Sequence, residues 1–265
     1  RDSVASRGLG DVYKRQTLKP AMSLTRVLIN GSMGQMGQES IKAVSKDPEL
    51  KLVAQTDLGD NLAESIDQSK AQVVVDFTTA ASALKNTVCI IESGARPVIG
   101  TSGLLPEEIS ELQALCTKHK LGGIIAPNFA IGAVLMMKFS QDAAKYFPHA
   151  EVIELHHDGK VDAPSGTAIK TANLLAESRS SVPKKIADKE IISGARGANA
   201  ENIRVHSVRL PGLVAHQEVI FGGQSQTLTI RHDSIHRDSF MPGVCLACKK
   251  VMDLNELVYG LEHLL

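Results

Sequence analysis

The feature that most constrains the fold is an alternation of short apolar strands with helical segments between Thr25 and Pro127. The predicted strands are near-continuous runs of Val and Ile, which is typical of strands covered by helices on both faces. Because strands separated by helices pair in parallel through right-handed crossovers, this half predicts a doubly wound α/β sheet. The predicted strands are 26–29, 50–56, 71–77, 96–101 and 122–127, and the predicted helices are 37–46, 83–93 and 106–119.

A glycine-rich loop joins the first predicted strand to the first predicted helix. Its sequence, INGSMGQMG, places Gly31, Gly34 and Gly37 in a GxxGxxG spacing. Glycine permits a tight turn close to a pyrophosphate, and the helix N-terminus that follows offers unpaired N–H groups. The second strand ends at Asp57, where an acid can bind a ribose 2′-hydroxyl. Together these residues predict a Rossmann-type dinucleotide site, with a plain tight turn and a solvated strand end as the alternatives.

The residue after Asp57 bears on which dinucleotide is bound. Leu58 is not basic, whereas an arginine there would help to hold a 2′-phosphate, so the sequence favours NADH over NADPH. Ligands in such sheets bind at the carboxyl ends of the strands. The strand ends at 76–78, 100–102 and 126–129 are therefore expected to line the nicotinamide, although each also fits ordinary turn chemistry.

The second half of the chain has a different pattern. It predicts a smaller α+β domain with a mainly antiparallel sheet, in which three consecutive strands pair in antiparallel fashion with one face covered. A last helix over 242–264 is expected to pack back, at least in part, on the first domain. The predicted domains are 22–129 with 241–265 for the dinucleotide and 130–240 for the substrate. The other elements are helices 130–147 and 167–179, strands 150–157, 203–210, 216–223 and 226–234, and a loop over 193–202.

Charge and hydropathy argue against several classes of function. The 29 basic and 29 acidic residues cancel, so the chain gains little from neutralising nucleic-acid phosphates. No apolar run approaches the length of a membrane span. Residues 1–21 lack hydrophobic periodicity and are expected to be a leader outside the fold, with Met22 as a plausible start. A short transit-like or regulatory tail is the alternative.

The four cysteines, in the absence of an export signal, suggest a reducing compartment, which is the cytoplasm or, in a photosynthetic organism, the plastid stroma. Cys245 and Cys248 form a CxxC pair that fits either a redox pair or half of a zinc site. A zinc site needs four ligands, and no second pair exists, so we expect buried structural cysteines and no metal.

A cationic loop in the second half is the main candidate for chemistry. His156, His157 and Lys160 lie within five residues, and Ser165–Thr167 then open a helix. Histidine is easily tuned to exchange protons near neutral pH, an ammonium anchors carboxylates, and a helix N-terminus binds anions. The loop therefore predicts a site for an acidic small molecule. A capped helix with surface histidines is the alternative.

The run ELHHDGKVDAPSGTA (154–168) resembles the signature of the 4-hydroxy-tetrahydrodipicolinate reductases of bacterial lysine and diaminopimelate synthesis. The resemblance extends from about residue 24 to the C-terminus. Further similar segments are INGSMGQMG (29–37), VVDFT (74–78), VIGTSG (98–103), APNFAIG (126–132), SVRLPGLVAHQEVIFGG (207–223) and IRHDSIHRDSF (230–240).

The resemblance implies roles for particular residues. It makes His156 the acid/base residue and Lys160 its partner proton donor, and it assigns the substrate dicarboxylate to His157, Gly166 and Thr167. It also implies a homotetramer assembled through the second-domain sheets. The implied cofactor contacts are Gly31, Ser32, Met33, Gly34, Gln35, Met36, Asp57, Gly100, Thr101, Ser102, Ala126, Pro127, Asn128 and Phe129.

The implied reaction is the reduction of a cyclic dianionic imine after loss of water, with hydride from NADH or NADPH added at C4 and a proton at C3. A cationic loop suits the two carboxylates of such a substrate. One alternative is another two-domain dehydrogenase, which would share the glycine loop but lack the HHxxKxDAPSGTA run. A second is an NAD(H)-binding sensor without turnover, against which the His156 and Lys160 pair argues. A structural module is the third.

Overall fold

The computed structural model describes residues 24–183 and 189–265, so the predicted leader, 1–21, lies outside the described residues. The strands are β1 (Thr25–Asn30), β2 (Leu50–Thr56), β3 (Val73–Asp76), β4 (Arg96–Ile99), β5 (Gly123–Ile125), β6 (His149–His156), β7 (Ala198–Ala200), β8 (Ile203–Arg209), β9 (Ala215–Gly223), β10 (Gln226–Ser234) and β11 (Leu257–Tyr259). The helices are α1 (Gln35–Lys46), α2 (Leu62–Ser69), α3 (Ala80–Glu92), α4 (Pro106–His119), α5 (Ile131–Ala144), α6 (Gly166–Ser178) and α7 (Met241–Lys250).

The first sheet has six parallel strands in the order β11-β5-β4-β3-β1-β2. The side chains of alternate residues of β1 point to opposite faces of the sheet. Val27 and Ile29 pack in the apolar cluster that includes α7, and Leu28 packs in the cluster that includes α3 and α4. Both faces are therefore covered, which confirms the predicted doubly wound sheet and explains why its strands are almost wholly apolar.

The second sheet has five strands in the order β10-β9-β6-β8-β7. Three of its four pairings are antiparallel, so the predicted mainly antiparallel sheet is confirmed. The expectation of three consecutive antiparallel strands is wrong, because β8 pairs in parallel with β6, and β6 separates it from β9. Alternation predicts that a strand exists, but it does not predict which neighbour the strand pairs with. β7 also forms inside the predicted loop over 193–202.

The predicted C-terminal helix over 242–264 is wrong beyond Lys250. The chain passes through a 3-10 turn, forms β11 beside β5, and ends in a second 3-10 turn. Gly260 adopts φ +102°, which ends any helical pattern there. Leu257 and Leu261 are spaced like residues on one helix face, but they enter different apolar clusters on opposite faces of the first sheet.

Helix α2 was not predicted from the sequence. It has eight residues, about two turns, and Ile66 is its single buried residue, so its hydrophobic pattern is short. The sequence feature that indicates this helix is Asn61, a residue type favoured at helix N-caps. In the structure its side chain accepts a hydrogen bond from the backbone N–H of Glu64 at 3.3 Å.

Candidate active site

The glycine loop between β1 and α1 is held by close backbone packing. Gly31 has φ +81°, and a Cβ there would overlap the carbonyl oxygen of Phe77. A Cβ on Gly37 would overlap the carbonyl oxygen of Gly31. Gly34 differs, since the nearest atom to its added Cβ would be 3.4 Å away, and the residue is exposed. Two glycines are therefore required by the fold, while the third leaves open space at the helix N-terminus.

The N-terminus of α1 suits an anionic group. In the described residues, no side chain caps this helix at Gly34, and its first turn contains no acid. The first N–H groups of a helix have no partner within the helix, so those of Gln35 and Met36 are available to a ligand. The N-cap of α6 differs, because the Ser165 side chain accepts from the N–H of Ala168 at 3.2 Å. The glycine loop therefore fits the pyrophosphate of a dinucleotide.

Asp57 lies against this loop. One carboxylate oxygen accepts from the N–H of Met33 at 2.7 Å, and the other accepts from the N–H of Leu58 at 2.8 Å. These two bonds, from Met33 first, lower the pKa of Asp57. Each oxygen has a further lone pair, so the ionised acid can still accept from ribose hydroxyls. The side chain of Leu58 is fully exposed beside it.

A buried acid, Asp76, joins the strand ends beneath the loop. Its carboxylate accepts from Asn30 Nδ2 at 2.7 Å, from Thr101 Oγ1 at 2.6 Å and from Thr78 Oγ1 at 2.7 Å. A Cβ on Gly100 would overlap the Phe77 ring. The predicted cofactor residues Gly100 and Thr101 therefore support the floor of the site, whereas Ser102 is exposed. The network joins the ends of separate strands, so no local sequence pattern predicted it.

The segment 126–129 connects the two halves of the site. Ala126 and Phe129 are each only 2% exposed, so their side chains belong to the core, and the Phe129 ring meets the Phe77 ring edge-on at 5.8 Å. Pro127 is exposed. Asn128 Nδ2 donates to Thr167 Oγ1 at 3.4 Å, which links the end of the first sheet to the start of α6.

His156 lies at the end of β6, with its side chain 14% exposed. Its Nδ1 atom bonds to the carboxylate of Glu154. Burial lowers the pKa of His156, the Glu154 carboxylate raises it, and the charges of Lys160 and Arg209 lower it again, so the pKa falls below its ordinary value. The ammonium of Lys160 is itself paired with Asp162, at 2.7 and 2.8 Å from the two carboxylate oxygens.

The two histidines of the loop face different spaces. His156 lines a small cavity of about 40 Å³. His157 lines a larger cleft of about 570 Å³ with Met33 and Gln35 of the glycine loop. The structure therefore brings His156 and Thr167 together and places His157 on the dinucleotide side. The other residues of the small cavity are Asn128, Ala130, Ala133, Met136, Ser165, Ala215, His216, Gln217, His232, Ser234 and Phe240.

Several polar residues of this cavity were not predicted from the sequence. His216 Nδ1 bonds Asp233 at 2.7 Å and its Nε2 accepts from the N–H of Val214 at 3.2 Å, so the ring is held in one orientation. Burial lowers the pKa of His232. Gln217 is buried, and in the described residues its Oε1 atom has no hydrogen-bond partner. Their position in the sheet is the available indication, since β9 begins and β10 ends at the edge where β6 ends at His156.

The CxxC pair is buried in α7. Cys245 and Cys248 are 9% and 0% exposed, and burial raises the pKa of Cys245 to about 11 and that of Cys248 well above its ordinary value. Both therefore remain thiols, which supports the structural interpretation. Across 24–183 and 189–265, no group of three or more metal-ligating side chains converges, and no helix has the length and hydropathy of a membrane span.

Comparison with known proteins covers both halves of the chain. The sequence model described as "Dihydrodipicolinate reductase, N-terminus" matches residues 25–129, and the one described as "Dihydrodipicolinate reductase, C-terminus" matches residues 132–265. A 4-hydroxy-tetrahydrodipicolinate reductase of Listeria monocytogenes is 52% identical over 261 residues, covering 91% of this chain and 99% of the relative. One of Streptococcus pneumoniae is 55% identical over 252 residues, with the same coverage.

A solved structure shows the same likeness in three dimensions. The dipicolinate-bound dihydrodipicolinate reductase of Paenisporosarcina sp. TG-14 is 45% identical, with a TM-score of 0.84. The match covers 91% of this chain and all of that one. Together with the glycine loop, the uncapped α1 and the HHxxKxDAPSGTA loop, these matches show that the chain belongs to the dihydrodipicolinate reductase family.

Proposed function

We propose that this chain reduces 4-hydroxy-tetrahydrodipicolinate to tetrahydrodipicolinate, with loss of water, in lysine and diaminopimelate biosynthesis. Its family consists of oxidoreductases, and both curated relatives carry the name of this reaction. The observation that carries the proposal is that His156 and Thr167 share one cavity at the end of the second sheet. Asn128 joins that cavity to the end of β5, so a proton-exchanging group and a helix N-terminus meet beside the dinucleotide fold.

The substrate's two carboxylates are assigned to Lys160, to the first turn of α6 and, from the side of the larger cleft, to His157. Gly166 and Thr167 begin that helix, where N–H groups favour an anion. An added Cβ on Gly166 would meet open space, so the approach to these groups is clear. Lys160 would exchange its present partner, Asp162, for a substrate carboxylate. The dipicolinate in the related solved structure is a dicarboxylate, which supports this assignment.

The Rossmann-type half is assigned to NADH or NADPH. The N-terminus of α1 would hold the pyrophosphate, and Asp57 would accept from the adenosine ribose. Bound there, the reduced nicotinamide would supply the hydride that adds to C4. We further propose a preference for NADH, because a 2′-phosphate would approach the ionised Asp57 while the adjacent Leu58 offers no charge.

The proton is assigned to the HHDGK loop. Hydride addition at C4 of the dehydrated substrate leaves electron density at C3 that takes up one proton. His156 would donate it from Nε2, since Nδ1 is bound to Glu154. Lys160, whose charge acts on His156, would stabilise the developing negative charge through the adjacent carboxylate.

The arrangement of the chain is proposed as follows. Residues 22–129 and 241–265 form the dinucleotide domain, and 130–240 form the substrate domain. Four copies associate through the second sheet, whose edge strand β10 exposes Leu228. The bacterial relatives favour a cytoplasmic location.

The test is to identify the product. Substrate would be generated in place from pyruvate and aspartate semialdehyde by the preceding synthase, and NADH carrying deuterium at the transferable position would be supplied. We expect tetrahydrodipicolinate with deuterium at C4, and with solvent deuterium at C3 when the reaction runs in heavy water. NADH binding without any reduced product would support the sensor alternative.

A further inference from the structure

Glu154 is a fully buried carboxylate directly behind His156. The two residues lie two apart on β6, so their side chains point to the same face of the sheet. Glu154 is 0% exposed and bonds to Nδ1 of His156. Because an ionised carboxylate only accepts hydrogen bonds, Nδ1 carries the hydrogen. Nε2 is therefore the atom of His156 that remains to exchange a proton.

Arg209, at the end of β8, keeps Glu154 ionised. Its two terminal nitrogens donate to the two carboxylate oxygens, each at 2.9 Å, in a two-pronged ion pair. Burial by itself would raise the pKa of Glu154. Hydrogen bonds from Arg209, Ser207 and His156 outweigh that effect, so the pKa is lowered.

The same guanidinium also holds the cationic loop. Arg209 Nε donates to the carbonyl oxygen of Lys160 at 3.2 Å, and a terminal nitrogen donates to the carbonyl oxygen of Asp162 at 2.6 Å. One buried ion pair therefore touches the ring of His156 on one side and the backbone of Lys160 on the other. It therefore holds both the ring of His156 and the backbone that carries Lys160, the two residues to which proton chemistry is assigned.

We propose that Glu154 and Arg209 are positioning residues, which fix His156 so that its Nε2 takes up a proton together with the dicarboxylate substrate and then donates it. This inference rests on the proposed function. The proton comes from solvent on binding and passes to C3 in the reaction, so His156 ends the cycle neutral. The ring has no need to hold that proton in the free protein.

The charges around His156 support this sequence of events. Its pKa is lowered in the free protein, which leaves the ring neutral near neutral pH. A dianionic ligand bound beside His156 and the N-terminus of α6 adds negative charge near the ring and favours the protonated form. The ionisable groups that face the ring or its cavity are Glu154 of β6, Lys160 of the loop, Arg209 of β8, His216 of β9 and His232 of β10, and Asp233 acts through its hydrogen bond to His216.

The test is proton uptake on binding of dipicolinate to the NADH complex, measured by titration calorimetry in buffers of different ionisation enthalpy. We expect the wild type to take up a proton as dipicolinate binds near neutral pH, and His156→Asn to lose this uptake. In Glu154→Gln the pH of maximal uptake should fall by about one unit or more, because the charge that favours protonated His156 is gone.

Glu151→Gln is the matched control. Glu151 lies on the same strand but on the opposite face, where it accepts from Arg196 at 2.5 Å and His206 at 2.8 Å. The control therefore loses a Glu–His–Arg cluster of the same residue types away from the cavity, at a carboxylate that is 34% exposed, and its uptake should follow the wild type. A shift in Glu151→Gln equal to that in Glu154→Gln would overturn the proposal.

A measurement on the wild type alone guards against a variant that fails to fold. The apparent pKa above which activity declines should be higher for kcat, which reports the substrate complex, than for kcat/KM, which reports the free protein. Equal values, or dipicolinate binding without proton uptake, would refute the positioning role while turnover still upheld the reductase. Loss of both turnover and dipicolinate binding in the wild type would instead refute the proposed function and this inference with it.

Discussion

The carboxylate of Asp57 accepts a hydrogen bond of 2.7 Å from the backbone N–H of Met33, which fixes the acid at the end of β2 against the glycine loop. A 2′-phosphate would approach this anion, and the exposed Leu58 next to it contributes no charge. Leu58→Arg should therefore raise kcat/KM for NADPH by about tenfold or more, the effect of roughly 1.4 kcal/mol. Leu58→Gln is the control of similar length without charge. Equal effects of the two changes would show that charge at this position does not set the preference.

The two glycines Gly31 and Gly34 should respond differently to alanine. Gly31→Ala places a Cβ against the carbonyl of Phe77 at φ +81° and should lower the free energy of unfolding by about 2–4 kcal/mol. Gly34→Ala meets only an ordinary contact at 3.4 Å, so its stability should stay within about 1 kcal/mol, while its KM for NADH rises. Urea unfolding and steady-state kinetics measure the two effects. A stable Gly31→Ala would contradict the packing described for the loop.

Alanine substitutions in the HHDGK loop should have different effects on kcat and KM. His156→Ala should mainly lower kcat, by about 100-fold or more, because it removes the proton donor. Lys160→Ala should lower kcat and also raise KM for the substrate, because it removes a charge that binds a carboxylate. His157→Ala, the neighbouring control, should act chiefly on KM. If His156→Ala retained near wild-type kcat, the proton would have to come from another group.

Stability should fall on mild acidification. The lowered pKa values of His156 and His232 mean that, below the ordinary histidine value of about 6.5, the unfolded chain binds more protons than the folded protein. The free energy of unfolding therefore decreases as pH falls through that window. His232→Asn should reduce the dependence on pH, whereas His119→Asn, at an exposed position, should not. Urea titrations at several pH values provide the comparison, and identical slopes in all three proteins would count against the burial effect at His232.

The sequence predicted the elements that depend on local pattern. The glycine loop between β1 and α1, and the boundaries of β2, α4 and β10, follow from hydrophobic period and turn chemistry over a few residues. The position of β8 beside β6 depends on pairing between segments that are distant in sequence. The same holds for 257–259, which the sequence predicted as helix and which forms an edge strand beside β5. Periodicity within one segment carries no information about such partners.

The residues of the candidate site also fall into two groups, those that a local sequence pattern indicates and those that depend on strand pairing. His156 and Lys160 stand out because two histidines and a lysine crowd one loop. Glu154 and Arg209 read as ordinary strand residues, and their pairing becomes visible only when β6 and β8 lie side by side in register. Thr101 was expected to face the cofactor, but its hydroxyl donates a hydrogen bond to the buried carboxylate of Asp76. This contact depends on two strand ends that meet only in the folded sheet.

The most direct measurement is the loss of reduced-nicotinamide absorbance when the chain is mixed with NADH, pyruvate, aspartate semialdehyde and the preceding synthase. Rapid oxidation that requires the synthase, and that falls at least about 100-fold in His156→Ala, is the predicted result. Absence of synthase-dependent oxidation with either NADH or NADPH, from folded wild-type protein that still binds the dinucleotide, would contradict the proposed function.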